Sequence, residues 1–133
     1  MTQKDKNLLL QDLCGRLPYG IKVNNEMQGD FKIYGICEDY VFGRNEKCHI
    51  DFHVEKIKPY LFPLSSMTEE QKEEIEGKLI FPNNSDGGWV EIHYNDKYEI
   101  PYWFVDFCNK HHLDYRGLIP MGLAIDSTEL KIY

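Results

Sequence analysis

No stretch of this chain holds the roughly 20 consecutive apolar residues that a membrane-spanning helix needs. The amino-terminal MTQKDKNLLLQDLC has three leucines in a row and then turns polar, so it reads neither as a signal peptide nor as a span. A cytoplasmic chain with reduced thiols is expected. Cysteine is sparse: Cys14, Cys37, Cys48 and Cys108 show no C-x-x-C spacing, which excludes a cysteine zinc motif. Each borders an apolar pattern, and buried free thiols are expected. The phosphate-binding pattern G-x-x-x-x-G-K-[ST] is missing, as are G-x-G-x-x-G, H-E-x-x-H and a nucleophile elbow. With no catalytic signature and no cofactor motif, the balance is against an enzyme.

An excess of positive charge is lacking too. Fifteen Lys and Arg stand against 22 Asp and Glu, for a net charge of −7. Such a surface repels phosphate backbones, so nucleic acid is disfavoured as a partner. Lys22, Lys32, Arg44 and Lys47 fall near one end of the expected strands but are countered by Asp30, Glu38, Asp39 and Glu46. What the chain does have is apolar mass: 42% apolar and 14% aromatic residues in 133 are ample for one core. The expected fold class is α+β, an antiparallel β-meander packed against two to three α-helices, in a single compact domain spanning 1–133.

The strongest helix signal is Ile100, Trp103, Phe104, Phe107, Cys108 and His111, spaced as one buried helical face. Pro101 suits its first turn. Asp106 and Lys110 lie on the other side, and Lys110, His111 and His112 meet the negative end of the dipole. The face is expected to lie on the meander. After it, Leu113 to Asp126 is too apolar for a free loop and too rich in Gly and Pro for a helix. It reads as an ordered return turning at Gly117 and Gly122. Asp114 and Arg116 are placed to close that turn, and Asp114, Tyr115 and Arg116 form a candidate recognition surface.

The blocks NKHHLDYRGLIPMGLAID (109–126), IKPYLFPLSSMTEE (57–70) and DLCGRLPYGIKV (12–23) cover about a third of the chain. In them the chain resembles a family of small proteins encoded in gut Bacteroidales genomes and in their phages and mobile elements. The resemblance implies family membership and a phage or mobile-element origin, and brings no activity or catalytic residue with it.

Residues 4–16 are expected to form a core-facing helix with Leu9, Leu13 and Leu17 four apart, ending before Pro18. Alternation predicts strands at Ile21–Asn24, Phe31–Gly35, Asp39–Phe42 and Lys47–Val54, with Gly43-Arg44-Asn45-Glu46 as a hairpin loop. Glu55 to Pro63 is expected to leave the sheet; Ile57 to Leu64, with two prolines four apart, should be extended and cross the core edge, with Leu61, Phe62 or Leu64 buried. Exposed, the same run would offer Tyr60 and Phe62 as a contact patch. Thr68 and Gln71 form a capping box for a surface helix. A polar loop is expected at 82–88, a strand at 89–94 and an edge strand at 130–133.

The sharpest chemical hint is the fourth strand. Its period of two puts Cys48, Ile50, Phe52 and Val54 on one face and His49, Asp51 and His53 on the other. Alternate strand residues sit ~6.6–6.8 Å apart, so all three cannot easily reach one ion. Two of them would need a distant partner such as His93, His111 or His112. Two functions are weighed. The first is a non-enzymatic protein–protein interaction module, acting as a homo-oligomer or on another protein. The second is a metal-dependent hydrolase or nuclease using His49, Asp51 or His53.

Overall fold

A computed structural model describes residues 1–76 and 102–133, apart from the side chains of Ile75 and Glu76. The loop expected at 82–88, the strand at 89–94, His93, Leu79, Ile100 and Pro101 lie outside the described residues.

Helix α1 is Gln3–Arg16. Thr2 caps it, its side chain accepting from the Asp5 backbone while the Asp5 carboxylate accepts from the Thr2 N–H. Leu9 and Leu13 are fully buried. Strands β1 (Lys22–Asn25), β2 (Gly29–Cys37), β3 (Tyr40–Arg44) and β4 (His49–His53) form the expected antiparallel meander. The run expected to leave the sheet returns to it: strand β5 (Lys58–Pro63) pairs antiparallel with β1, and the described sheet runs β4-β3-β2-β1-β5-β6. The far edge of β5 is shared by two short parallel partners, β6 (Leu113–Asp114) at Phe62 and β7 (Ile125–Asp126) at Tyr60. The fold is therefore α+β with a mostly antiparallel sheet, as expected, plus parallel pairings that alternation cannot reveal.

Several local expectations change. The hairpin loop sits two residues later than expected. Strand β3 continues through Gly43 and Arg44, and the turn is closed by Asn45, whose side-chain oxygen accepts from the Lys47 and Cys48 backbones. Gly43 belongs in the strand because Phe31 fills the space beside it: an added Cβ would lie 3.0 Å from the Phe31 Cβ and 3.4 Å from Ile33 Cδ1. Gly43→Ala is accordingly expected to lower stability by about 1–2 kcal/mol through overpacking. Urea denaturation checks this; an unchanged midpoint would show that Phe31 yields freely. Three of the four cysteines, Cys14, Cys37 and Cys48, are exposed rather than buried; only Cys108 is inside. They fall on the outer side of α1, at the end of β2 and in the β3–β4 turn, where an apolar neighbour in sequence does not mean burial. Residues 130–133 form no strand.

Helix α2 (Glu69–Glu76) starts with the expected capping box: Thr68 N–H donates to Gln71 Oε1 at 3.0 Å, and Gln71 N–H to Thr68 Oγ1 at 3.2 Å. Helix α3 is Tyr102–Lys110. Phe104, Phe107 and Cys108 are buried and Trp103 is half-buried, so the expected face is right, but it does not rest on the meander. Among the described residues there are two apolar clusters. In one, Leu9 and Leu13 of α1 cover the inner face of the meander with Leu118, Leu123 and Ala124 from the return. In the other, Phe104, Phe107 and Cys108 pack with Met67, Leu113 and Tyr115.

Candidate functional site

The clasp between the two clusters is polar. Leu9, Asp12, Leu13 and Arg16 repeat at i, i+3, i+4 and i+7, one face of α1, so burying the leucines buries the charges with them. Arg16 and Asp12 are 0% exposed. Arg16 Nε donates to Asp12 Oδ2 at 2.8 Å and Nη2 to Oδ1 at 3.2 Å. The same guanidinium donates to the carbonyl of Leu113 at 2.7 Å and of Cys108 at 3.4 Å. It thereby satisfies acceptors at the carboxyl end of α3, where positive charge is favoured. Arg116 donates to Asp12 Oδ1 at 3.2 Å and to the Tyr115 hydroxyl at 3.2 Å. This network is a fastener, with its polar atoms turned inward.

It also absorbs the residues expected to offer a recognition surface. Asp114 and Tyr115 are buried and Arg116 is half-buried. The Asp114 carboxylate accepts from the Leu118 and Ile119 backbones at 2.9 Å each, closing the turn at Gly117, whose φ is +76°. Arg116 turns to Asp12 rather than to Asp114. A cleft of about 380 Å³ opens beside Arg116 between Leu64 and Ile119. Tyr60 is buried, its hydroxyl donating to Asp30 at 2.6 Å, and burial first, then that bond, push it up to about 12. Phe62 is half-buried, 6.1 Å from the Tyr133 ring.

His49 and Asp51 are exposed on the outer face of β4, and His53 is half-buried there. His49 meets Tyr34 edge-on at 5.8 Å. His53 packs on Tyr40 at 5.4 Å and accepts the Glu55 N–H through Nδ1 at 3.3 Å. His111 pairs with Glu74 at 3.1 Å, far along the chain. Among the described residues no three His, Cys, Asp or Glu side chains are gathered as a metal site would need. His112 is buried instead, its ring stacked on Tyr133 at 3.7 Å and 11°. Burial chiefly, with Arg16, His111 and Lys22 adding positive charge, lowers it to about 4. Burial pushes the Cys108 thiol up to about 12, which keeps it protonated and unreactive at neutral pH.

The exposed chemistry lies on the outer face of the meander. Tyr34 and Tyr40 are 49% and 46% exposed, with Phe42 half-buried 6.5 Å from Tyr34. At the end of this face a groove of about 640 Å³ is lined by Lys22, Lys32, Arg44 and Lys131, with Asp30 and Glu46. The local excess of cations is half visible in sequence; Lys131 joins only because residues 127–133 fold back over β1 and β5. Ser127 donates from N and Oγ to the Leu61 carbonyl, and Lys22 Nζ donates to that of Ile132 at 2.8 Å. Comparison with family models, with curated proteins and with solved structures finds no match to this chain.

Proposed function

We propose that the chain is a small non-enzymatic module of phage or mobile-element origin that binds another protein in the cytoplasm through the outer face of its meander. The origin rests on the sequence resemblance alone. The carrying observation is the aromatic group Tyr34, Tyr40 and Phe42 on a sheet face that, among the described residues, no apolar cluster covers. Tyrosine supplies large contact area at small entropic cost and is enriched at interface hot spots. The internal bonding of Asp114, Tyr115 and Tyr60 leaves this face as the better contact surface.

The test is quantitative capture from a lysate of the gene's own host, comparing the unaltered chain with Tyr34→Ser/Tyr40→Ser. Both positions are exposed, so the variant should lose no more than about 1 kcal/mol of stability. A partner enriched by the unaltered chain should fall by roughly tenfold or more with the variant, as loss of hot-spot tyrosines predicts. Equal capture by both chains, or nothing above the bait-free control, would remove the proposal.

A further inference from the structure

We infer that the groove bounded by β1, β2, β3 and residues 127–133 is a binding site for a nucleoside phosphate. The inference goes beyond the protein-binding reading and does not need it.

The strand register makes the first argument. Lys22 stands opposite Lys32, Lys32 opposite Arg44, and Arg44 opposite His49. One row across four strands thus carries three permanent cations and an imidazole, with strands ~4.7–4.9 Å apart. Like charges directly opposite one another destabilise a sheet. A row of this kind works against the fold unless an anion completes it.

The acids nearby do not complete it. Asp30 and Glu46 line the groove, yet none of Lys22, Lys32, Arg44 and Lys131 forms an ion pair among the described residues. Asp30 Oδ1 accepts from the Tyr60 hydroxyl and from Asn24 Nδ2 at 2.9 Å, which turns that oxygen away from the cations while its charge stays in the groove wall. Lys22 is held by the Ile132 carbonyl. Lys131 brings a further cation from the strap. The row therefore presents cations that carboxylates within reach have left unneutralised.

Tyr34 offers a contact for the second half of the ligand. It lies two residues past Lys32, at the irregularity of β2 between Ile33 and Gly35, beside the groove and outside its lining. Its ring is half exposed, with the Arg44 guanidinium 5.6 Å from the centroid and His49 at its edge. An aromatic face beside cations is the arrangement that stacks a nucleobase while holding its phosphate. The groove volume lies inside the ~300–1,000 Å³ of small-ligand sites. The negative charge of the remaining chain repels a long polyanion, which favours one nucleotide, free or at the end of a single strand.

Isothermal titration with ATP, with a 5′-phosphorylated pentanucleotide and its unphosphorylated form, and with inorganic tripolyphosphate tests this. Saturable binding of ATP supports the site with a free nucleotide as ligand; binding only of the phosphorylated oligonucleotide supports it with a strand end. In either case Lys32→Ala/Arg44→Ala should weaken binding roughly tenfold or more, and Tyr34→Ala roughly fivefold or more. The double variant's Tm should equal or exceed that of the unaltered chain, since like-charge repulsion is relieved; this separates lost binding from lost folding. Three results would each overturn the inference. One is no saturation by about 5 mM, affinity too weak for a built site. Another is tripolyphosphate binding as tightly as ATP with no effect of Tyr34→Ala. The last is binding untouched by the double variant.

Discussion

Arg16→Met is expected to lower the unfolding free energy by about 3–5 kcal/mol, because it strands a carboxylate in the interior. Asp12 is 0% exposed and, among the described residues, would keep only its side-chain bond from Arg116. The Cys108 carbonyl would lose the Arg16 donor at the same stroke, and the Leu113 carbonyl would be left with the Tyr115 N–H. This clasp ties the cluster under α1 to the cluster around α3, so the two should also lose cooperativity. Urea unfolding followed by the fluorescence of Trp103, in chains carrying Trp89→Phe so that it reports the α3 cluster alone, and by far-ultraviolet circular dichroism should give coincident curves with Arg16 intact and separated ones for the variant. Asp12→Leu/Arg16→Met should recover part of the loss, since removing both charges leaves no uncompensated ion of the pair. A loss below about 1 kcal/mol for Arg16→Met would mean that water reaches Asp12 and that the clasp is not a buried pair.

The second large effect is one of pH. His112 is lowered from 6.5 to about 4 in the folded chain. Well above pH 6.5 the imidazole is neutral in both states and the difference contributes nothing. As pH falls from 6.5 toward 4, the unfolded chain takes up a proton that the folded chain refuses, so stability declines with falling pH and levels off below about 4. The full decline attributable to this ring is about 3 kcal/mol. His112 has a φ of +58°, so asparagine, which tolerates left-handed backbone, is the suitable replacement. The substitution also removes the stack on Tyr133, and His112→Asn should be less stable at about pH 7. The reading that matters is the slope: between about pH 6.5 and pH 4.5 the variant should lose less stability than the unaltered chain. Equal slopes would show that the ring takes up its proton without leaving the Tyr133 stack.

Both effects turn on polar groups that close in space and are far apart in sequence, which is why a linear reading misses them. The face Leu9, Asp12, Leu13 and Arg16 is visible as a period in the chain. Its charged members look like solvent-facing residues until the carbonyls of Cys108 and Leu113, 92 and 97 residues away, are brought to meet Arg16. Likewise Lys22, Lys32 and Arg44 are plain in sequence, but their alignment needs a register, and Lys131 needs the strap. The apolar face of α3 is legible, and its seat is not: Phe104 and Phe107 fit equally well against any apolar surface, and Met67, Leu113 and Tyr115 reach them first.

Short-range physics was enough for the rest. Alternation placed the meander strands, the Thr68–Gln71 reciprocity started α2, and Gly117 and Gly122 turned the return, because each depends on neighbours within a few residues. Tertiary structure alone decided which charges are sealed inside, which cations share a row, and that α1 rather than α3 covers the sheet. Those outcomes depend on what distant segments bring to the same point, and no window along the chain contains both sides of such a contact.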